Sequence, residues 1–63
     1  MSTNWIDFLF EDQETGEQFF VEVENRFGAR DKAWDIAFDN FEDPELIGIY
    51  SPEDAEILGY DTY

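Results

Sequence analysis

The sequence predicts an α+β domain: a three-stranded antiparallel sheet of order 2-1-3, one packed helix and a short second helix, in the order ββαβα. Three observations carry this. Trp5–Phe10, Gln18–Glu24 and Leu46–Tyr50 set large apolar or β-branched residues at alternate positions, the period of a strand. Ala33, Trp34, Ala37 and Phe41 fall at i, i+1, i+4 and i+8, one face of a helix. Ser51-Pro52-Glu53-Asp54 has the residue types of a helix start: a capping hydroxyl, a proline at the first helical position and acids in the first turn.

In the first strand Ile6, Phe8 and Phe10 share one face, and Trp5, Asp7 and Leu9 the other. Phe19, Val21 and Val23 form the matching face of the second strand, with Phe20, Glu22 and Glu24 behind. A slip of one residue inverts every side chain in a strand pair. A four-residue loop, Gln13–Gly16, sets Ile6, Phe8 and Phe10 opposite Val23, Val21 and Phe19, so the apolar faces coincide. A three-residue loop would put Asp7 opposite Val23. Gly16 supplies the positive φ such a loop needs, and Asp12 can accept from turn amides.

The helix is expected from about Arg30 to Phe41, with Ile36 and Phe38 bordering its apolar stripe and Asp43-Pro44 beyond its end. In the third strand Ile47 and Ile49 are expected on one face. A right-handed crossover through the helix can place that strand beside the first. The second helix should stop at Gly59. Tyr60–Tyr63 is a tail, its tyrosines either tucked in or free. The outer sheet face is expected to be open, or covered by the second helix or by another copy of the chain. Met1–Asn4 is read as a frayed lead-in, and residues 1–63 as a single domain.

Composition narrows the function. Seventeen acids face three bases, a formal charge of −14, and the bases Arg26, Arg30 and Lys32 occupy one short stretch. Hydrophobic residues make up 43% and aromatics 19%, too much for a disordered acidic tail. The charge repels nucleic acid and anionic membrane, so the expected partner is a basic protein surface. There is no cysteine for a disulfide or thiolate metal site, which suits a cytoplasmic setting. The first residues lack the charged and apolar regions of a signal peptide, and no apolar run reaches the roughly 20 residues of a membrane span.

Catalytic residue types are scarce. Histidine and cysteine are missing, and the serines are Ser2 and the capping Ser51, so no enzyme activity is expected. Asp12–Glu17 superficially suggests a calcium loop, but Gly16 falls at position five and the acids are misplaced. Glu42, Asp43 and Glu45 could gather a weak cation, yet neither a metal nor a cofactor is expected.

Two surfaces stand out. Asp31, Asp35 and Asp39 recur every four residues along the helix, followed by Glu42. Each step is about 6 Å, and like charges at i, i+4 cost about 0.2–0.5 kcal/mol per pair. On the outer sheet face Trp5 pairs with Glu24, Asp7 with Glu22 and Leu9 with Phe20. Opposed Asp7 and Glu22 are unfavourable, and Trp5, Leu9 and Phe20 rimmed by acids have the character of an interface. Asp31, Asp35, Asp39, Glu42, Trp5, Asp7, Phe20, Glu22 and Glu24 are therefore the candidate partner-binding residues.

In composition and in its carboxylate row Asp31, Asp35, Asp39 and Glu42, the chain resembles the small acidic DNA-mimic inhibitors made by phages: anti-restriction, anti-CRISPR and uracil-DNA glycosylase inhibitor proteins. The resemblance is one of class, without a shared motif. It implies a non-catalytic inhibitor in the host cytoplasm that occupies the nucleic-acid-binding surface of a DNA-handling or defence enzyme. Two other readings remain: an acidic interaction module or homodimeric accessory subunit without mimicry, and general salt adaptation.

Overall fold

A computed structural model describes residues 4–63. The chain runs β1 (Trp5–Asp12), β2 (Gln18–Glu24), α1 (Ala29–Asn40), β3 (Pro44–Tyr50) and α2 (Pro52–Leu58). The sheet is antiparallel with β1 central, order β2-β1-β3. This is the expected ββαβα architecture. The lead-in at 1–3, including Ser2, lies outside the described residues.

The β1–β2 register is the one the apolar pattern demands, from Trp5 opposite Glu24 through Phe8 opposite Val21 to Phe10 opposite Phe19. Asp12 N–H donates to Glu17 O at 2.8 Å and so closes the four-residue loop Gln13–Gly16. Gly16 takes φ 77° there, where a side chain would be strained. The Asp12 carboxylate is buried and accepts from Glu14 N–H and the Thr15 hydroxyl, so the turn carries its own polar satisfaction.

β3 differs from expectation. Its pairing with β1 shifts between Leu9 and Phe10, so that Phe8 faces Ile49 but Phe10 faces Leu46. Ile47 is the additional residue of a bulge. Leu46 therefore shares the Phe8–Phe10 side with Ile49. The strand also begins earlier than expected, at a buried Pro44.

α1 lies across β2 and β1. Ala33 and Ala37 are fully buried, and their small side chains let the helix backbone approach the sheet. With Phe8, Phe10, Phe19, Val21 and Val23 they make the main core. Trp34 meets the Phe10 ring edge-on at 5.0 Å, and Phe38 stacks outside Trp34 at 5.7 Å. Phe41 is not helical: it leaves the helix extended, at φ −137° and ψ 154°, and stacks on Phe19 with ring centres 3.9 Å apart.

The outer sheet face is covered in part. α2 packs over β1 and β3, and Ala55, Leu9 and Phe20 form a second core with Tyr50 beside them. The α2 start is as expected, with Ser51 Oγ accepting from Asp54 N–H at 3.3 Å and Gly59 ending the helix at φ 75°. Gly48 leaves space for the Tyr50 ring, since a Cβ there would stand 2.8 Å from Tyr50 Cε1. The tail runs parallel to β2: Phe20 N–H donates to Asp61 O, Tyr63 N–H to Phe20 O and Glu22 N–H to Tyr63 O. Tyr63 reaches Phe19 and Phe41 on the α1 side, while Tyr60 packs near Phe20 on the α2 side.

Charge is left largely uncompensated. Among the described residues the one ion pair is Arg26 Nη1 to Glu24 Oε2, 3.5 Å apart and exposed, so it contributes little. The melting temperature is expected to rise with salt up to about 0.15 M, where screening acts within about 8 Å. Thermal melts across that range check this; a flat or falling midpoint would mean that the acids are compensated locally.

Candidate functional site

The α1 row is presented to solvent. Asp31, Asp35, Asp39 and Glu42 are all exposed, and none is in an ion pair among the described residues; the three aspartates lie on the side of α1 away from Ala33 and Ala37, whereas Glu42, expected to continue the row, lies beyond the helix, which ends at Asn40 before the extended Phe41. Asp31 lies in the first turn and suits the positive end of the helix dipole. Asp39 stands in the last turn, which has no base, and there the dipole opposes it. Asp is also a poor residue for a helix interior. The row thus costs stability without a structural return.

The hairpin extends this acidic end. Gln13 N–H donates to Asp43 O at 2.9 Å, which brings the Gln13–Gly16 turn against the connector after α1. Glu14 then meets Glu42, whose repulsion holds the Glu14 proton above the usual carboxylate range, with smaller contributions from burial, a hydrogen bond to Glu42, and Asp12 and Asp43. Glu14 was not among the expected site residues. Its position depends on a contact between distant backbone groups, which leaves no periodic signal.

The sheet-face candidates separate. Trp5, Glu22 and Glu24 are exposed. Phe20 is fully buried and Asp7 is 2% exposed. These two are removed from any flat docking surface, because α2 and the tail cover this part of the face, the covered alternative of the sequence reading rather than the open one. Leu9, beside them, is likewise buried.

Asp7 is the unusual member. It stands opposite Glu22 on β2 and Tyr50 on β3. Burial in the first place, then repulsion from Glu22 and a hydrogen bond to it, pushes its carboxyl up to about 6. That hydrogen bond exists only while one carboxyl keeps a proton. Asp7 Oδ1 itself is buried and has no hydrogen-bond partner among the described residues.

The bases gather at the other end of α1. Arg26 and Lys32 line a cleft of about 240 Å³ with Glu24, Gly28 and Phe27, and Phe27 is wholly exposed. No helix among the described residues is long and apolar enough to cross a membrane. Comparison with known proteins finds no matching family model, no curated relative and no similar solved structure.

Proposed function

We propose that the protein is a non-catalytic acidic binder that occupies the basic, nucleic-acid-binding surface of a partner enzyme through the α1 row. The reading is supported chiefly by one observation: Asp31, Asp35 and Asp39 are exposed on a helix held to the sheet by Ala33 and Ala37, with Glu42 exposed just beyond its end, and none of the four is in an ion pair among the described residues. Proteins that grip duplex DNA present Lys and Arg to closely spaced phosphates, about one charge per 1.7 Å of axis. A row of carboxylates on a rigid element offers such a groove a comparable charge without a phosphodiester to cut. The phage-inhibitor identity and the host cytoplasm as its setting belong to this same proposal.

The test is capture of the partner from a cytoplasmic extract on immobilised protein, with duplex and single-stranded DNA as competitors. DNA is expected to release the partner. With the isolated partner, the D31N/D35N/D39N variant is expected to associate about tenfold more slowly at low salt. A control, E17Q/E45Q/E53Q, removes equal charge away from α1 and should slow association much less. Equal slowing by both variants would reduce the effect to net charge and end the mimicry reading.

Association between copies is the second reading. It is favoured by Ile47 and Ile49, each about half exposed on β3 (46% and 48%). Sedimentation at rising salt separates it from the first, since a monomer at all concentrations excludes it.

A further inference from the structure

An open cleft of about 410 Å³ lies between the sheet, α2 and the tail. Its size is within the range of about 300–1,000 Å³ usual for small-molecule sites. Asp7, Glu22 and Glu56 line it from β1, β2 and α2, and Pro52, Ala55 and Tyr60 are among its other walls. Asp7 Oδ1 is buried there and receives no hydrogen bond. A buried polar atom without a partner is rare and costly, and a guest that brings N–H donors would satisfy it. The chain does not supply them. Its three bases lie between 26 and 32, and none pairs with Asp7, Glu22 or Glu56 among the described residues.

We propose that this cleft receives a single arginine side chain of the basic partner, its guanidinium paired with Asp7 and Glu22. The choice of ligand follows from the walls. A calcium-sized cation needs about six to eight oxygens close around it, and no group of three acids among the described residues is spaced to hold a metal ion. A guanidinium has five N–H donors in a fixed fork and can serve separated carboxylates together. Its methylene stem suits apolar surface such as Ala55 and Pro52, and the Tyr60 ring offers a face to the cation. Lysine brings a compact, strongly hydrated charge that fits this divided set of acceptors less well.

The titratable groups facing Asp7 are Glu22, Tyr50, Glu56 and Tyr60. All are acidic or neutral, so an entering cation meets no competing base. The cleft and the α1 row lie on opposite faces of the sheet. The cleft is therefore a contact separate from the row, and it rests on the function proposed above only for the source of the arginine.

The experiment is an amide chemical-shift titration of the whole chain with N-acetyl-arginine amide, at about pH 7.5 and ~0.15 M salt. Saturable shifts are expected at Asp7, Glu22, Ala55 and Thr62. N-acetyl-lysine amide should bind several-fold more weakly. Asp7→Asn should weaken arginine binding by about tenfold or more, Glu56→Gln should weaken it less, and D31N/D35N/D39N should leave it unchanged. Shifts that follow the α1 acids without saturating would overturn the proposal, as would undiminished binding by both cleft variants. Localised shifts with calcium chloride but not with the arginine derivative would replace it with a metal site. No partner is needed, so this test can fail while DNA still competes in the capture experiment, and the reverse.

Discussion

Phe20→Ala is expected to remove about half or more of the domain's stability. The side chain is fully buried between the sheet and α2, and its removal should cost about 3–5 kcal/mol. A chain of 63 residues has only about 3–9 kcal/mol to lose, at roughly 0.05–0.15 kcal/mol per residue. The mechanism is a cavity under α2 together with the loss of ring contacts to Tyr50, edge-on, and Tyr60, tilted. Phe8→Ala, on the α1 side, should cost a similar amount, and Leu9→Ala about 2–5 kcal/mol. Denaturant melts with Phe20→Leu as the milder change would measure the series. If Phe20→Ala and Leu9→Ala each cost under about 1 kcal/mol, α2 and the tail do not close on the sheet, and the arginine cleft loses its roof.

Lowering the pH from about 7 to 5 is expected to stabilise the domain, the reverse of ordinary acid denaturation. The Asp7 carboxyl is raised from 3.8 to about 6 on folding, so the folded state holds the proton more tightly than the unfolded chain. The stabilisation is fully present below about 3.8 and is lost as the pH rises through about 6. At about 1.4 kcal/mol per pKa unit, with water admitted by the open cleft, the swing is about 1–3 kcal/mol. For a domain of this size 1 kcal/mol moves the melting temperature by about 4–8 °C. Glu14 acts in the same direction. Asp7→Asn separates the two: it should melt above wild type near pH 7, with the difference closing toward pH 4.5 or so. A wild-type midpoint that stays flat or falls as the pH is lowered from about 7 to 4.5 would show that Asp7 titrates as an ordinary exposed carboxylate. A gain in stability from Asp7→Asn together with loss of arginine binding would mark Asp7 as a residue kept for binding at the expense of the fold.

The strands, the hairpin register and the packed face of α1 were legible in the sequence because each is a local period fixed by which side chains must share a face. Phe8 can meet Val21 only with the Gln13–Gly16 loop, and Ser51, Pro52 and Gly59 mark the α2 ends by their own backbone chemistry. The carboxylate row was legible for the same reason, since i, i+4 spacing on a helix leaves Asp31, Asp35 and Asp39 little choice of direction. What covers the outer face was decided only by tertiary structure. α2 buries just Ala55 and leaves Ile57 82% exposed, so its sequence carries almost no amphipathic signal. The tail docks on β2 through backbone hydrogen bonds, which any side chains permit. Asp7 therefore read as a surface acid, and its conversion into a buried, unpartnered carboxylate required Pro52, Ala55 and Tyr60 to arrive from forty or more residues along the chain. The β3 bulge was hidden likewise, because Leu46 and Ile47 are equally good strand residues and only the Phe10 pairing selects between them.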